Sequence, residues 1–129
     1  MARNGALEIP PPLEVECLKI LWKLGEGNVR DVREGLTGSR NLAYTTVMTV
    51  LDRLSRKGRV SRRKVGRSFV YAPVLSREVL RRLAVQDLVE RYFEGSENAL
   101  VEYLRNGDTE GSLLVETESA EEALDTTLL

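Results

Sequence analysis

Apolar residues recur at helical spacing in the first third of the chain, between polar and glycine-rich turns. Their positions are Leu13, Val15, Leu18, Leu21, Trp22, Val29, Val32 and Leu36. Gly25 and Gly27 end the first series of apolar residues. Asn28 is a favourable N-cap for the second series, which Gly38 closes. The pattern predicts two short amphipathic helices.

A third helix is predicted over residues 43–58, where apolar residues follow the i, i+3, i+4, i+7 spacing of a buried stripe. The stripe consists of Val47, Val50, Leu51 and Leu54. The opposite face consists of Thr45, Thr46, Thr49, Arg53 and Arg56. Because β-branched threonines are mildly unfavourable in helices, their exposure needs another explanation. Either they contact DNA, or they lie on a solvated face with some hydroxyls bonded to their own backbone.

After Gly58 the apolar period changes from that of a helix to that of a strand. Val60 and Val65 flank a basic run, and residues 68–73 include a β-branched and aromatic patch. Gly66 lies between the two segments, where a tight turn requires a positive φ. Three helices followed by a basic hairpin are typical of a winged helix-turn-helix, whose wing lies along the DNA backbone.

Two further amphipathic helices are predicted after the hairpin. The first begins near Ser76 and ends at Gly95, and the second is capped by Ser96 and ends at Gly107. We expect both to lie outside the compact winged core, so that a second copy of the chain is the simplest cover for their apolar residues. The alternative is that they fold back on their own domain. The expected dimerisation residues are Leu83, Leu88, Tyr92, Phe93, Leu100 and Leu104.

The net charge of −1 conceals a strong division of charge along the chain. Residues 40–82 contain 12 basic and two acidic residues, whereas residues 83–129 contain two basic and 12 acidic residues. A local surplus of this size attracts phosphates and releases counterions on binding, so it predicts a nucleic-acid partner. The alternative is that the basic face pairs with the acidic segment of the same chain or of a partner chain.

The predicted fold class is mostly α with a small β-hairpin: a winged helix-turn-helix followed by a helical dimerisation region. The expected parts are a flexible arm (1–12), a winged-helix DNA-binding domain (13–75), the helical dimerisation region (76–107) and an acidic tail (108–129). The tail has seven acidic residues and no basic one, which favours a flexible segment. A short helix at 119–124 is an alternative there.

The residue types argue against several functional classes. The chain has no histidine, and its acidic pairs lie in the loosely patterned tail, so we expect neither an enzyme nor a metal or cofactor site. No apolar run is long enough to cross a membrane and no signal-peptide pattern occurs, which predicts a cytoplasmic location and no membrane partner. Cys17 lies among apolar residues, which favours a core thiol over a redox sensor.

Four stretches of the chain form a more specific pattern: LEVECLKILW (13–22), AYTTVMTVLDRL (43–54), Lys57-Gly58 and GRSFVYAP (66–73). They resemble the penicillinase repressor family of the BlaI/MecI type, whose copper-responsive relatives share the same DNA-binding domain. The resemblance extends from about residue 13 to residue 107. It implies a homodimeric repressor on a palindromic DNA operator, with the third helix in the major groove and dimerisation through the carboxyl-terminal helices.

The resemblance also implies roles for individual residues. The base-contacting positions fall on Thr45, Thr46, Thr49 and Arg53, and the wing contacts on Arg63, Lys64 and Arg67. Further backbone contacts are expected from Arg40, Tyr44 and Arg56.

The chain departs from the family pattern in three places. It lacks the paired cysteines of the copper-responsive members, and its tail lacks a leucine-rich last helix. Antibiotic-responsive members are cut by a sensor protease at an Asn-Phe bond, and the aligned position here is Tyr103-Leu104. An upstream sensor or protease stays open as a partner. The functional alternative is a winged-helix protein-interaction module that binds an acidic protein partner.

Overall fold

The computed structural model of the chain describes residues 8–107. Its elements are α1 (Pro12–Leu24), α2 (Val29–Leu36), α3 (Tyr44–Arg56), β1 (Val60–Val65), β2 (Ser68–Pro73), α4 (Arg77–Tyr92) and α5 (Glu97–Asn106). The chain divides after Val85 into two compact units. The predicted fold class, mostly α with a small β-hairpin, is therefore confirmed. No helix within residues 8–107 has the length and apolar content needed to cross a bilayer.

The ends of the first two helices follow from local chemistry. α1 begins at Pro12, one residue before the predicted start, because a proline lacks the N–H that the first helical position leaves unbonded. Gly25 ends α1 with a φ of +90°, as expected of the stop signal. Asn28 caps α2: its side chain accepts from the Asp31 N–H at 2.8 Å, and the Asp31 carboxylate accepts from the Asn28 N–H at 3.0 Å.

The core of the first unit lies where α1, α2 and α3 pack together with the hairpin. The apolar stripe predicted for α3 is fully buried there. The core residues are Cys17, Leu18, Leu21, Val29, Val32, Leu36, Val47, Val50, Leu51, Leu54, Val60, Tyr71, Leu75 and Leu80. Because three helices direct apolar faces at one another, the side of α3 opposite its stripe is left in solvent.

The hairpin pairs β1 and β2 without a break from Val60↔Pro73 to Val65↔Ser68. A two-residue loop, Gly66–Arg67, connects the strands, and Gly66 has a φ of +64°. A positive φ at the first loop residue alone is the pattern of a type II′ turn, for which glycine is favoured. The loop before α2 extends the sheet, because Gly27 and Tyr71 exchange two backbone hydrogen bonds of 2.9 and 2.8 Å. Nothing in the sequence predicted that pairing.

The start of α4 corrects one expectation. Ser76 caps this helix by accepting from the Val79 N–H at 3.1 Å, as the sequence predicted. However, α4 does not lie wholly outside the winged core, since Leu80 is buried within it and Val79 packs against it. The reason is the segment after β2: the N–H groups of Val74 and Leu75 both donate to the Arg59 carbonyl, at 2.8 and 2.9 Å. These bonds hold Leu75 in the core, so the first turn of α4, which follows directly, also packs against the core.

In the second unit, Ser96 caps α5 by accepting from the Ala99 N–H at 3.1 Å. The preceding turn contains Glu94 and Gly95, both with positive φ, and the Gly95 N–H donates to the Val89 carbonyl. The rings of Phe93 and Tyr103 lie 5.6 Å apart, so they connect the turn to α5. The acidic tail and its predicted helix at 119–124 lie outside the described residues.

Candidate nucleic-acid interface

The exposed face of α3 contains every residue that the sequence predicted for base contact. Thr45, Thr46, Thr49 and Arg53 are all exposed, as is Arg56 one turn further on. Their positions follow directly from the burial of the stripe on the other side of the helix. No acidic residue lies in the first turn of α3, so the positive end of the helix dipole is not neutralised there.

The threonine hydroxyls on this face differ in their bonding. Thr49 Oγ1 donates to the Thr45 carbonyl at 2.9 Å, so its proton is used within the helix and its oxygen can only accept from a ligand. Within residues 8–107, the hydroxyls of Thr45 and Thr46 have no hydrogen-bond partner. Self-bonding, one of the two explanations of the threonine cluster, therefore applies to Thr49 and leaves two hydroxyls available as donors and acceptors.

A groove of about 410 Å³ separates α3 from the hairpin, and we call it the helix–wing groove. It brings together three residues that the sequence had assigned to DNA contact: Tyr44, Thr49 and Arg67. The other lining residues are Val29, Met48, Asp52, Arg62, Ser68, Phe69 and Tyr71. Thr46 and Arg53 do not line this groove.

Asp52 connects the two walls of the helix–wing groove. Its carboxylate lies 3.1 Å from Arg56 Nε on the same helix and 3.3 Å from Arg62 Nη1 on β1. The Arg62 guanidinium in turn lies 4.2 Å from the centre of the Phe69 ring, within the range of a cation–π contact. The hairpin is thereby attached to α3 through side chains as well as through the core. The sequence pattern predicts no role in the interface for Asp52, Arg62 or Phe69.

Ion pairs within the protein engage several of the cations predicted to bind phosphate. Arg63 donates to both oxygens of Glu26, at 2.8 and 3.0 Å, and Arg40 lies 3.4 Å from Glu16. The Arg63 guanidinium lowers the pKa of the Glu26 carboxyl through its hydrogen bonds and charge, and Glu26 raises the pKa of Arg63 for the same reasons. Both predicted contacts are therefore in competition with intramolecular carboxylates.

The basic segment also contributes to the interior. Lys57 Nζ lies 3.2 Å from a carboxylate oxygen of Glu14, whose side chain is only 1% exposed. Arg77 stacks at 5.5 Å from the centre of the Trp22 ring, and Trp22 Nε1 donates to the Leu75 carbonyl at 2.9 Å. These contacts are structural. Across residues 8–107, the interface cations that have no ion pair are Arg53, Lys64 and Arg67.

Met48 and Asp52 are residues of α3 that line the helix–wing groove but were not predicted from the sequence. Met48 lies outside the buried stripe and is 41% exposed, which a helical projection of the sequence would have indicated. The Asp52–Arg56 pair has the i, i+4 spacing of a common helical ion pair, so it could also have been found. The contacts from Asp52 to Arg62 and from Glu26 to Arg63 join different elements, and no local spacing indicates them.

The residues expected in dimerisation fall into two groups by exposure. Leu88, Tyr92 and Leu104 are 37%, 69% and 71% exposed. Leu83, Phe93 and Leu100 are half-buried.

Cys17 is completely buried in the core of the first unit. Burial, together with the neighbouring carboxylates of Glu16 and Glu14, raises the pKa of its thiol to about 12. A thiol in this environment is not a reactive group, so the interpretation as a core residue is confirmed. Residues 8–107 contain no group of three or more potential metal ligands.

Comparison with known proteins places the chain in a family. The family described as penicillinase repressor matches residues 11–112. The penicillinase repressor of Bacillus licheniformis is 29% identical over 99 residues, which are 76% of this chain and 77% of that protein. The transcriptional regulator BlaI of Mycobacterium tuberculosis is 43% identical over 89 residues, 67% of this chain and 64% of that protein.

Among solved structures, the chain is similar to the solution structure of the DNA-binding domain of the repressor BlaI. The two are 32% identical, with a TM-score of 0.49, over 56% of this chain and 90% of that domain. Because the family match covers residues 11–112, the chain belongs to the penicillinase repressor family of DNA-binding transcriptional repressors, as its sequence motifs predicted.

Proposed function

We propose that the chain represses transcription by binding a palindromic operator as a homodimer, with α3 in the major groove and the hairpin along the phosphate backbone. One observation carries this proposal: a helix face made of exposed threonines and arginines lies beside a hairpin rich in arginine and lysine. An α-helix fits the major groove, and a basic hairpin beside it can reach the flanking phosphates.

The bonding state of each residue indicates its role. Thr45 and Thr46 can donate to and accept from base edges, and Arg53 can donate two parallel hydrogen bonds to a guanine. Lys64 and Arg67 are exposed and form no ion pair within the described chain, so they can bind phosphate without breaking a contact. Base contacts from α3 then set the sequence preference, and hairpin cations supply affinity that does not depend on sequence.

The proposed dimerisation is supported by exposed apolar residues in the second unit. Tyr92 and Leu104 are each about 70% exposed, although both are large and largely apolar. A second copy of the chain would cover them, as expected for an isologous interface. Two linked copies bind two half-sites together, which raises the affinity for a palindrome far above that for one half-site.

A mobility-shift titration tests the DNA-binding part of the proposal. The probe is the duplex immediately upstream of the gene that encodes the chain, at physiological salt and with random-sequence competitor. We expect a shift that survives the competitor. The alternative function, binding of an acidic protein partner, predicts only weak association between the chain and the DNA probe, which physiological salt would abolish.

Sedimentation velocity tests the dimer. Leu104→Asp places a charge at a side chain that is already 71% exposed, so the protomer should stay folded. Leu100 is half-buried, which makes it a less suitable position. We expect monomers and a matching loss of operator affinity. Lys19→Asp on α1, also exposed, is the control and should leave the assembly state unchanged. A dimer that persists in Leu104→Asp would place the interface elsewhere.

A further inference from the structure

Three exposed apolar side chains meet at the helix–wing groove. Tyr44, Met48 and Phe69 are 45%, 41% and 37% exposed, and all three line the groove. Arg62 and Arg67 line it as well, so the apolar group lies among cations. Apolar side chains that cluster on an otherwise charged surface indicate a contact with an apolar ligand group.

Met48 is the member of this group that belongs to the candidate base-contacting helix. It lies one residue before Thr49 and three after Thr45, and the adjacent Val47 is completely buried. The core of the first unit is formed without Met48. Folding therefore does not explain a large apolar side chain at this position.

The chemistry of duplex DNA limits what Met48 can contact. In the major groove the base edges present donors and acceptors, with one apolar exception, the 5-methyl group of thymine. A methionine side chain has no hydrogen to donate, and its flexible thioether adapts to small apolar groups. An apolar side chain on a helix in that groove thus has one complementary partner.

We propose that Met48 determines sequence specificity by contacting the 5-methyl group of a thymine in each half-site, while Tyr44 and Phe69 exclude water around the contact. The inference rests on the proposed function, since it requires α3 in the major groove. The proposed function assigns base contacts to threonines and an arginine only; this inference adds Met48 as a residue and the thymine methyl as the group that it contacts. Arg62 stacks on Phe69 at 4.2 Å and holds that ring at the edge of the groove.

Replacing thymine by uracil tests this contact, because deoxyuridine lacks only the 5-methyl group. Duplexes that the full chain prefers are first selected from a random-sequence pool, and each thymine is then replaced singly by deoxyuridine. We expect one position per half-site at which the replacement weakens binding of the wild type about fourfold, the effect of one buried methyl-sized group. The same replacement should leave the affinity of Met48→Ala unchanged.

Two further variants make the comparison specific. Met48→Leu keeps an apolar side chain and should retain most of the sensitivity to deoxyuridine. Val74→Ala shortens an exposed apolar residue outside the groove and should behave like the wild type. Because Met48 and Val74 are both exposed, all three variants should keep the circular dichroism spectrum of the wild type.

The outcomes separate the inference from the proposed function. Selection of a defined sequence, with equal deoxyuridine effects in the wild type and Met48→Ala, would overturn the role of Met48 and leave the repressor proposal standing. The same holds if no thymine position is sensitive in the wild type. If the pool yields no preferred sequence, both the inference and the proposed function fail.

Discussion

The guanidinium of Arg63 on β1 donates two parallel hydrogen bonds to the carboxylate of Glu26, which precedes α2. Both side chains are about half-exposed, so the pair is in contact with water and can open. A DNA phosphate would compete with Glu26 for the same guanidinium, since a carboxylate and a phosphate each offer two anionic oxygens to a bidentate donor. Glu26 therefore lowers the charge that the hairpin offers to DNA.

Removing this carboxylate charge should strengthen binding to DNA of any sequence. In Glu26→Gln, Arg63 becomes available to a phosphate, and the slope of log affinity against log salt should steepen by about one unit. Titration of random-sequence duplex at several salt concentrations measures the slope. Glu90→Gln, an exposed residue on α4, changes the net charge equally and is the control. If Glu26→Gln weakens binding instead, Glu26 positions Arg63 for DNA and does not compete with it.

The Glu14–Lys57 pair should contribute strongly to stability. Glu14 is 1% exposed, and Lys57→Met would leave its carboxylate buried without its cation. We expect the free energy of unfolding to fall by roughly 2 kcal/mol, because a buried charge that loses its partner retains its desolvation cost. Urea unfolding at fixed protein concentration, followed by the fluorescence of the single tryptophan, Trp22, measures the loss.

Two variants control that experiment. Lys64→Met removes an exposed cation from β1 and should change stability by less than about 0.5 kcal/mol. Adding Glu14→Gln to Lys57→Met should recover part of the loss, since an amide costs less to bury than a carboxylate. A Lys57→Met protein as stable as the wild type would mean that water or another donor solvates Glu14.

The buried thiol predicts a loss of stability at high pH. The pKa of Cys17 is raised from 9.0 to about 12. The stability that the neutral buried thiol contributes to the folded state is therefore complete below pH 9, and it is lost as the pH rises toward 12. By about pH 10 the free energy of unfolding of the wild type should fall by roughly 1 kcal/mol relative to that of Cys17→Ala, because the thiol ionises only in the unfolded state. Urea midpoints of both proteins between pH 7 and pH 10 test this. A constant difference would show that the native thiol ionises as readily as the unfolded one.

Sequence pattern was sufficient for the elements whose causes are local. The spacing of Val47, Val50, Leu51 and Leu54 fixed the buried side of α3, and Gly66 marked the hairpin turn. The expectation that α4 lies outside the winged core was wrong, because its packing depends on backbone bonds from Val74 and Leu75 to Arg59, across the end of the hairpin. Such bonds leave no periodic signal in the sequence.

The interface shows the same division between local and long-range causes. Thr45 and Thr46 are exposed because the apolar stripe determines which side of α3 is buried, and helix geometry places both threonines away from that side. The charge that residues 40–82 offer to DNA was overestimated, because Arg63 pairs with Glu26, 37 residues away, and Lys57 pairs with Glu14, 43 residues away. Counting cations along a segment cannot reveal which of them meet a carboxylate from another element.

The proposed division of roles, in which α3 sets sequence preference and the hairpin supplies general affinity, can be measured directly. The measurement is the ratio of affinities for operator and random duplex, at several salt concentrations, for the wild type, Thr46→Ala and Arg67→Ala. Thr46→Ala should cost about 1 kcal/mol on the operator and little on random DNA, which lowers the ratio roughly fivefold. Arg67→Ala should weaken both equally and flatten the salt dependence by about one unit. Equal effects of the two substitutions on both duplexes would contradict this division of roles between α3 and the hairpin.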